Sequence, residues 1–428
     1  MAKVVVVGGG WAGCAAALSA KKAGAEVVLL EKTDCLLGTG LVGGIMRNNG
    51  RFTTAEEMIA MGGGGLFKLT DENARHVNME FPGHKHANLY DVALMEPMVA
   101  RYLVEQGVEV RTVSRARKIK MTNRKIEAVQ LETGQLIEGD VFVDATGTLG
   151  PQGNCRKYGN GCAMCIIRCP SFGGRVSIAG LAGVKEIRGR RPDGGYGAMS
   201  GSCKLNKDSL DPGLVAEMER TGVAVIPVPK ELAEQKSKLL GIKSCQQYAL
   251  KEYAENVVLL DTGHAKLMSP FYPLADLRSI PGLENARYED PYAGGKGNSI
   301  RYLAMAPRDN FLKVEGVDNL FCGGEKAGLL VGHTEAIATG TLAGHNAVRY
   351  VADKPLLELP ISLAVGDAIA YVQKQMQTEE GLMQKYTFSG SVYFERMKEL
   401  GLYTTEVKAI QERVRGVGLS DVFAQKVL

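Results

Sequence analysis

The clearest hydrophobic run opens the chain: Val4 to Val7 are four consecutive β-branched apolar residues with no polar position between them. Such a run predicts a strand buried on both faces, as in a parallel sheet. Glycine-rich sequence follows, then an alanine-rich stretch over 14–23 that predicts a helix ending at Gly24. Glu26 to Leu30 is a second apolar strand and closes on Glu31. From Val110 to Asp140 apolar and charged residues alternate, which predicts a β-meander with turns at Asn123 and Gly134. A further buried strand, "DVFVDATGT" (140–148), leads into Ala145-Thr146-Gly147.

Strand-then-glycine returns near the end in "VEGVDNLFCGGEKAG" (314–328). The stretch "GLLVGHTEAIATGTLAGHNAVRY" (328–350) then reads as a helix with small residues along its length. Thr334 is its expected N-cap, with Glu335 in the first turn. The last 78 residues carry a mainly helical pattern. Residues 51–98, with "GGGG" at 62–65 and three histidines, read as an irregular excursion.

The first fifty residues give this pattern a chemistry. Gly8-x-Gly10-x-x-Gly13 sits between strand and helix, with Glu31 following 18 residues after Gly13. Gly8 permits the tight turn, Gly10 lets backbone approach a pyrophosphate, and Gly13 lets helix pack on strand. The helix N terminus faces the phosphate charge, and Glu31 is placed for a ribose hydroxyl pair. Meander, ATG closure and the later return favour FAD over NAD as the dinucleotide. An NAD dehydrogenase has no reason to come back to its cofactor through Gly323, Gly324 and Glu325. The expected cofactor-binding set is Gly8, Gly10, Gly13, Glu31, Lys32, Thr146, Gly147, Gly323, Gly324, Glu325, Thr334 and Glu335. Amides of the late helix are expected to face the flavin N1/O2 edge.

The fold class is therefore α/β: a GR-type FAD-binding Rossmann domain with an inserted substrate domain and a helical C-terminal tail. The expected divisions are 1–150 and 256–350 for the two parts of the FAD domain, 151–255 for the insertion and 351–428 for the tail.

Composition adds bounds. At 45% hydrophobic and 23% charged, the chain is an ordinary globular one. Its 53 glycines among 428 residues are nearly twice the usual share, as expected where backbone approaches a ligand. A net charge of +4 neither demands a polyanionic partner nor excludes one. Of two basic runs, 115–125 reads as a solvated strand face and "IRGRR" (187–191) as a loop that phosphate could contact. The N terminus enters a strand at once, and no apolar run reaches the roughly 20 residues that span a bilayer, so no membrane partner and a cytoplasmic location are expected. In that compartment nine cysteines favour thiols, metal ligands or redox groups over disulfides.

With those motifs in hand, the chain resembles the GidA-type flavoproteins, the MnmG and TrmFO families of tRNA-modifying enzymes and their relatives. The likeness lies in "VVVVGGGWAGCAAALSAKKAGAEVVLL", "LRSIPGLENARYEDPYAGG", "VDNLFCGGEKAG", "HTEAIATGTLAGHNAVR" and "LPISLAVGDAIAYV", about a third of the chain. The resemblance implies FAD, the fold, and tRNA with a folate or NAD(P)H co-substrate. The chain also departs from it. Where MnmG has a cysteine just before its Gly-Gly-Ile, this chain has Thr39 and Gly40, and the nearest cysteine is Cys35. TrmFO's cysteine motif is also missing, and the 78 residues after Tyr350 are too few for MnmG's C-terminal helical domain.

The remaining candidates are chemical. Cys162, Cys165 and Cys169 run into Pro170 at spacing C-x2-C-x3-C, matching the last three positions of a bacterial ferredoxin run, but residue 159 is glycine. With Cys155 they form a candidate [4Fe–4S] ligand set. A redox dithiol at Cys162 and Cys165, a zinc site and structural thiols compete with that reading, and Cys203 and Cys245 are alternative ligands or nucleophiles. Lys296 and Arg301, in "GGKGNSIRYLAM", form a candidate anion or substrate loop. His84 and His86 are read as a surface or substrate-facing pair rather than a metal site, and His264 as a pocket-shaping loop residue.

Three functions compete. The first is an FAD-dependent oxidoreductase passing hydride or electrons through flavin, coupled to an iron–sulfur cluster, with a small-molecule substrate or an electron-transfer partner. The second is a tRNA-modifying flavoenzyme, and the third a non-catalytic electron-transfer module. A homo-oligomer is compatible with each.

Overall fold

The computed structural model describes residues 2–148, 171–191, 193–196, 198–199, 203–238, 240, 246–269, 272–289, 300–301 and 303–428. At its centre is a five-stranded sheet, parallel throughout. Its strands are β1 (Lys3–Val7), β2 (Glu26–Leu30), β3 (Glu109–Arg111), β4 (Val141–Asp144) and β5 (Leu320–Cys322), in the order β5-β4-β1-β2-β3. Val4, Val5 and Val6 are wholly buried, as the unbroken apolar run requires. The strand that returns after residue 314 thus joins the same sheet, beside β4.

Two helices cover one another on this sheet: α1 (Trp11–Lys22) and α3 (His333–Val351). Their contact is set by glycine. A Cβ on Gly340 would lie 2.1 Å from the Ala12 carbonyl oxygen, and one on Gly344 2.1 Å from that of Ala16. The small residues of the late helix let two backbones touch.

Residues 51–98 are not the irregular excursion that the glycines suggested. They form α2 (Gly50–Ala60), a helix over Gly65–Glu72, the hairpin Ala74–Phe81/His84–Tyr90 and the start of a helix over Met95–Glu105. The "GGGG" run is the tight turn between the first two helices. Gly62 has φ +81°, and a Cβ on Gly64 would fall 2.3 Å from the Ile59 side chain. The meander does form, as Ala116–Thr122, Lys125–Leu131 and Leu136–Glu138, with Asn123 (φ +52°) and Gly134 (φ +90°) at its turns.

A separate antiparallel sheet orders its strands Cys203–Leu205, His264–Leu267, Asn256–Thr262, Val223–Pro227. Two of these strands lie after residue 255, at Asn256–Thr262 and His264–Leu267. Ile187–Arg188 pairs with Ala304–Met305, and Ala198–Met199 with Ile300–Arg301. The C-terminal region is helical, with α4 (Ala364–Gln375) followed by Glu379–Met383, Ser391–Glu399 and Val407–Gly416. Among the described residues, no helix is long and apolar enough to cross a membrane.

Candidate functional site

The turn after β1 shows what each fingerprint glycine does. Gly8 has φ +104°, and a Cβ there would lie 2.4 Å from the Ala145 carbonyl oxygen at the end of β4. A Cβ on Gly13 would lie 1.7 Å from the Gly8 carbonyl oxygen. Gly10 differs: a Cβ there would meet nothing within 4 Å. Two glycines are spent on packing and the third borders open space at the N terminus of α1, which no side chain caps. Backbone N–H groups facing open space suit an anionic oxygen.

Glu31, buried at the end of β2, accepts from the Gly9 amide at 2.8 Å and from the Thr33 amide and hydroxyl at 2.9 and 3.0 Å. Its carboxylate is thereby fixed against the glycine turn. Lys32 Nζ donates to the Gly173 carbonyl at 3.1 Å.

The second glycine pair arrives next to β4. Gly324 (φ +65°) donates its N–H to the Thr339 hydroxyl at 2.8 Å, and Glu325 accepts from the Thr148 hydroxyl. Thr146 donates both its amide (3.1 Å) and its hydroxyl (2.6 Å) to Asp144 Oδ1, and Gly147 has φ +71°. Sequence reasoning missed Asp144. This fully buried acid also accepts from the Ala179 amide at 2.9 Å, so it ties the strand end to residues beyond 171. An aspartate closing the apolar run "VFVD" was the available signal. Lys326 is likewise buried, donating to the Ser177 hydroxyl at 3.0 Å and pairing with Glu186.

Thr334 and Glu335 face the interior. Gly332, not Thr334, is the N-cap of α3, and the Thr334 hydroxyl donates to the Met46 carbonyl at 2.7 Å. Glu335 is fully buried in an ion pair with Arg51 Nε (3.1 Å) and accepts from the Thr387 hydroxyl and the Phe388 amide. Helical periodicity turns both inward, leaving His333 at the front of the helix. The His333 ring lies against Gly43, 6.1 Å from the Trp11 ring and 6.0 Å from that of Tyr90. The Tyr90 hydroxyl donates to the Gly40 carbonyl at 2.7 Å.

Other expected residues fall elsewhere. His84 is buried, stacked on Phe81, with the Asn48 amide donating to Nδ1 at 2.8 Å and Nε2 reaching the Gln247 carbonyl at 3.0 Å. His86 sits at φ +57°, which breaks the strand alternation, so the two rings do not form a surface pair. His76 binds the buried Asp261 at 2.9 Å, and His264 pairs with Glu289 at 3.2 Å. In the basic loop, Arg191 is paired with Asp193. Cys155, Cys162, Cys165, Cys169, Cys245 and Lys296 lie outside the described residues. Arg301 enters through its backbone pairing with Ala198. Among the described residues, no group of three metal-ligating side chains occurs. Burial pushes the Cys14 thiol far above its ordinary range and that of Cys322 up to about 12, so neither is poised as a nucleophile.

Comparison with known proteins matches this arrangement. The family model described as "Glucose inhibited division protein A" matches residues 3–240 and 266–355, over three quarters of the chain. A TrmFO methylenetetrahydrofolate–tRNA-(uracil-5-)-methyltransferase of Thermosipho melanesiensis is 34% identical over 104 residues, 24% of this chain and 23% of that protein. The tRNA uridine 5-carboxymethylaminomethyl modification enzyme MnmG of Chlorobaculum tepidum is 34% identical over 110 residues, 25% of this chain and 17% of that one. These matches span under a quarter of either relative's length. In fold, the chain superposes on GidA of Aquifex aeolicus with a TM-score of 0.61, at 17% identity, covering 97% of this chain and 76% of that structure. On the family match and the fold together, the chain belongs to the glucose inhibited division protein A family.

Proposed function

We propose that the protein is an FAD-dependent enzyme acting on tRNA, with its chemistry at the C-terminal edge of the parallel sheet. The flavin part is carried by one observation: Gly10 opens on free space at an uncapped helix N terminus while Gly8 and Gly13 are locked by packing. In this reading the α1 amides hold the pyrophosphate, and Glu31, held against the glycine turn, offers a remaining lone pair to the adenosine ribose. Gly147, Gly323, Gly324 and Glu325 line the ribityl side, with Lys32 and Thr146 bracing the surrounding loops. FAD, when bound, supplies hydride or electron transfer through its isoalloxazine. The inward positions of Thr334 and Glu335 make them supports of α3, whose N-terminal amides remain the group aimed at the flavin.

The tRNA part is supported by relatives from two tRNA-modifying groups, and it ranks above the general oxidoreductase expected first. A reduced folate or NAD(P)H is the corresponding co-substrate. Thr39 and Gly40, standing where MnmG has its cysteine, require that any thiol chemistry come from another residue.

One observation favours a second, redox-coupled reading. Thr148 binds Glu325, while Gly173 and Gly174 receive Lys32 (3.1 Å) and Arg115 (2.8 Å). The residues on either side of the cysteine segment are thus tied to the same sheet edge. A [4Fe–4S] cluster on Cys155, Cys162, Cys165 and Cys169, or a dithiol at Cys162 and Cys165, would exchange electrons with flavin. Lys296 and Arg301 would then serve the substrate.

Both readings are tested on anaerobically purified protein. About one FAD per chain should be released on denaturation, and tRNA should bind with an affinity that falls steeply with salt. Protein that takes up no FAD defeats both readings; absence of tRNA binding at low salt defeats the first. Iron at about four per chain supports the cluster, and flavin-loaded protein without iron removes it.

A further inference from the structure

Lys204 and Lys266 lie directly opposite each other on neighbouring antiparallel strands of the inserted sheet. Like charges at directly opposed positions are ordinarily destabilising. Both reach out of the insertion to one target. Lys204 Nζ donates to the Leu41 carbonyl at 2.8 Å, and the buried Lys266 donates to the Val42 carbonyl at 2.5 Å and to that of Gly43. These carbonyls end the short helix Gly40–Gly43, and Gly43 lies against the His333 ring at the start of α3. Gly40 of the same helix lies against Trp11 Nε1, whose N–H is buried without a hydrogen-bond acceptor among the described residues. Two ammonium groups, an indole donor and the positive end of a 19-residue helix therefore surround one short segment.

We propose that Lys204 and Lys266 are positioning residues that hold the 40–44 segment in place and bias the electrostatics of the flavin site toward the reduced, anionic cofactor. This rests on the FAD reading above. When a hydride, two electrons and a proton, leaves a reduced nicotinamide donor for the isoalloxazine, the added negative charge resides on its N1–C2=O edge. Positive charge fixed in advance near that edge stabilises the reduced form without reorganisation. The lysines act on the side opposite the insertion's own core, so they also couple the inserted sheet's position to flavin potential.

The test uses full-length protein reconstituted with FAD, comparing wild type with Lys204→Met, Lys266→Met, the double variant and Lys266→Arg. Readouts are the flavin midpoint potential against reference dyes and the affinity of the bound flavin for sulfite. Each Met variant is expected to weaken stabilisation of the reduced flavin about tenfold, a midpoint roughly 30 mV more negative. Sulfite affinity should fall about as much, and Lys266→Arg should restore both. FAD-loaded Met variants with unchanged potential and sulfite affinity overturn the proposal and leave the FAD reading standing. A wild-type chain that binds no FAD defeats that reading and the proposal with it. Should Lys266→Met not fold, Lys204→Met, on the less buried lysine, decides alone.

Discussion

In the parallel-sheet half, backbone meets backbone: Gly13 on the Gly8 carbonyl, Gly340 on Ala12, Gly344 on Ala16. The second sheet meets the rest through an apolar cluster, Val258, Leu260 and Met268 with Ile45, Phe81 and Leu89, and through long side chains. Lys204 and Lys266 reach the 41–43 carbonyls, while Arg75 and His76 cross to Asp261 at 2.7 and 2.9 Å. The first kind of contact tolerates almost no displacement, because a carbonyl oxygen has nowhere to go. The second is made of rotatable chains and can follow a shift. Backbone contacts and side-chain contacts can therefore each be attacked by their own kind of substitution.

The largest effect is expected from Gly13→Ala. Overpacking in a yielding core costs about 1–3 kcal/mol. Here the added methyl meets a backbone oxygen at 1.7 Å, so about 4 kcal/mol or more is expected, seen as insoluble protein or a Tm lower by many degrees. Gly10→Ala is the control, because its Cβ enters open space. Its Tm without added cofactor should match wild type, while FAD affinity falls at least tenfold. Equal damage from both substitutions would break the division between packing glycines and cradle glycine.

This contrast explains what the chain's pattern revealed. A parallel strand buried on both faces and a glycine that needs positive φ leave local signatures, so β1, β2 and the ATG turn were legible, while α1, expected over 14–23, begins three residues earlier at Trp11. Asp144 and the Arg51–Glu335 pair were not. Their partners lie 35 and 284 positions away, and nothing in "VFVD" or "HTEAIATG" names them. Thr334 misled because a threonine before a helical run is a good cap by type, yet Gly332, with φ +149°, already starts the helix. The helices of 51–98 were hidden by four glycines that only shape one turn.

His345 asks whether a polar side chain also holds the parallel-sheet half together. It is buried on α3, edge-on to Phe423 at 5.3 Å, and neither ring nitrogen has a partner among the described residues. Burial, with a smaller contribution from Arg349, pushes its pKa from 6.5 down to about 4. The unfolded chain therefore takes up a proton that the folded chain refuses. The stability involved is complete above pH 6.5 and is lost as pH falls to about 4, roughly 3 kcal/mol in all. His345→Leu should flatten that part of the pH–stability curve in urea titrations and leave neutral-pH stability within about 1 kcal/mol. A variant that keeps the full acid slope would show that His345 is not its source.

Asp261 is the corresponding lever on the inserted sheet. It is fully buried and receives Arg75, His76 and Lys207, and these contacts hold its carboxyl below the usual range despite the opposing effect of burial. A depressed carboxyl stabilises above its unfolded pKa, so this contribution disappears only as pH falls below about 3.8. Breaking a buried pair costs about 3–5 kcal/mol. The three partner side chains keep some contact with solvent, so Asp261→Asn is expected to cost about 2 kcal/mol. Hydrogen exchange should quicken over 256–267 and stay unchanged over β1 and β4; uniform quickening would mean the two halves unfold as one.

The smallest effect belongs to His76→Ala. Its ring gives Asp261 one of three side-chain contacts, and Arg75 and Lys207 remain when it is gone. A single hydrogen bond to a charged acceptor contributes about 1.5–3 kcal/mol where nothing replaces it. With two neighbours able to swing toward the vacated oxygen, under about 1 kcal/mol should be lost. A double-mutant cycle with Asp261→Asn isolates the term: the cost of His76→Ala should vanish once the carboxylate is gone. If it persists undiminished, the ring acts by packing against Gly222 rather than through its hydrogen bond, and the second sheet is held there by shape as the parallel-sheet half is.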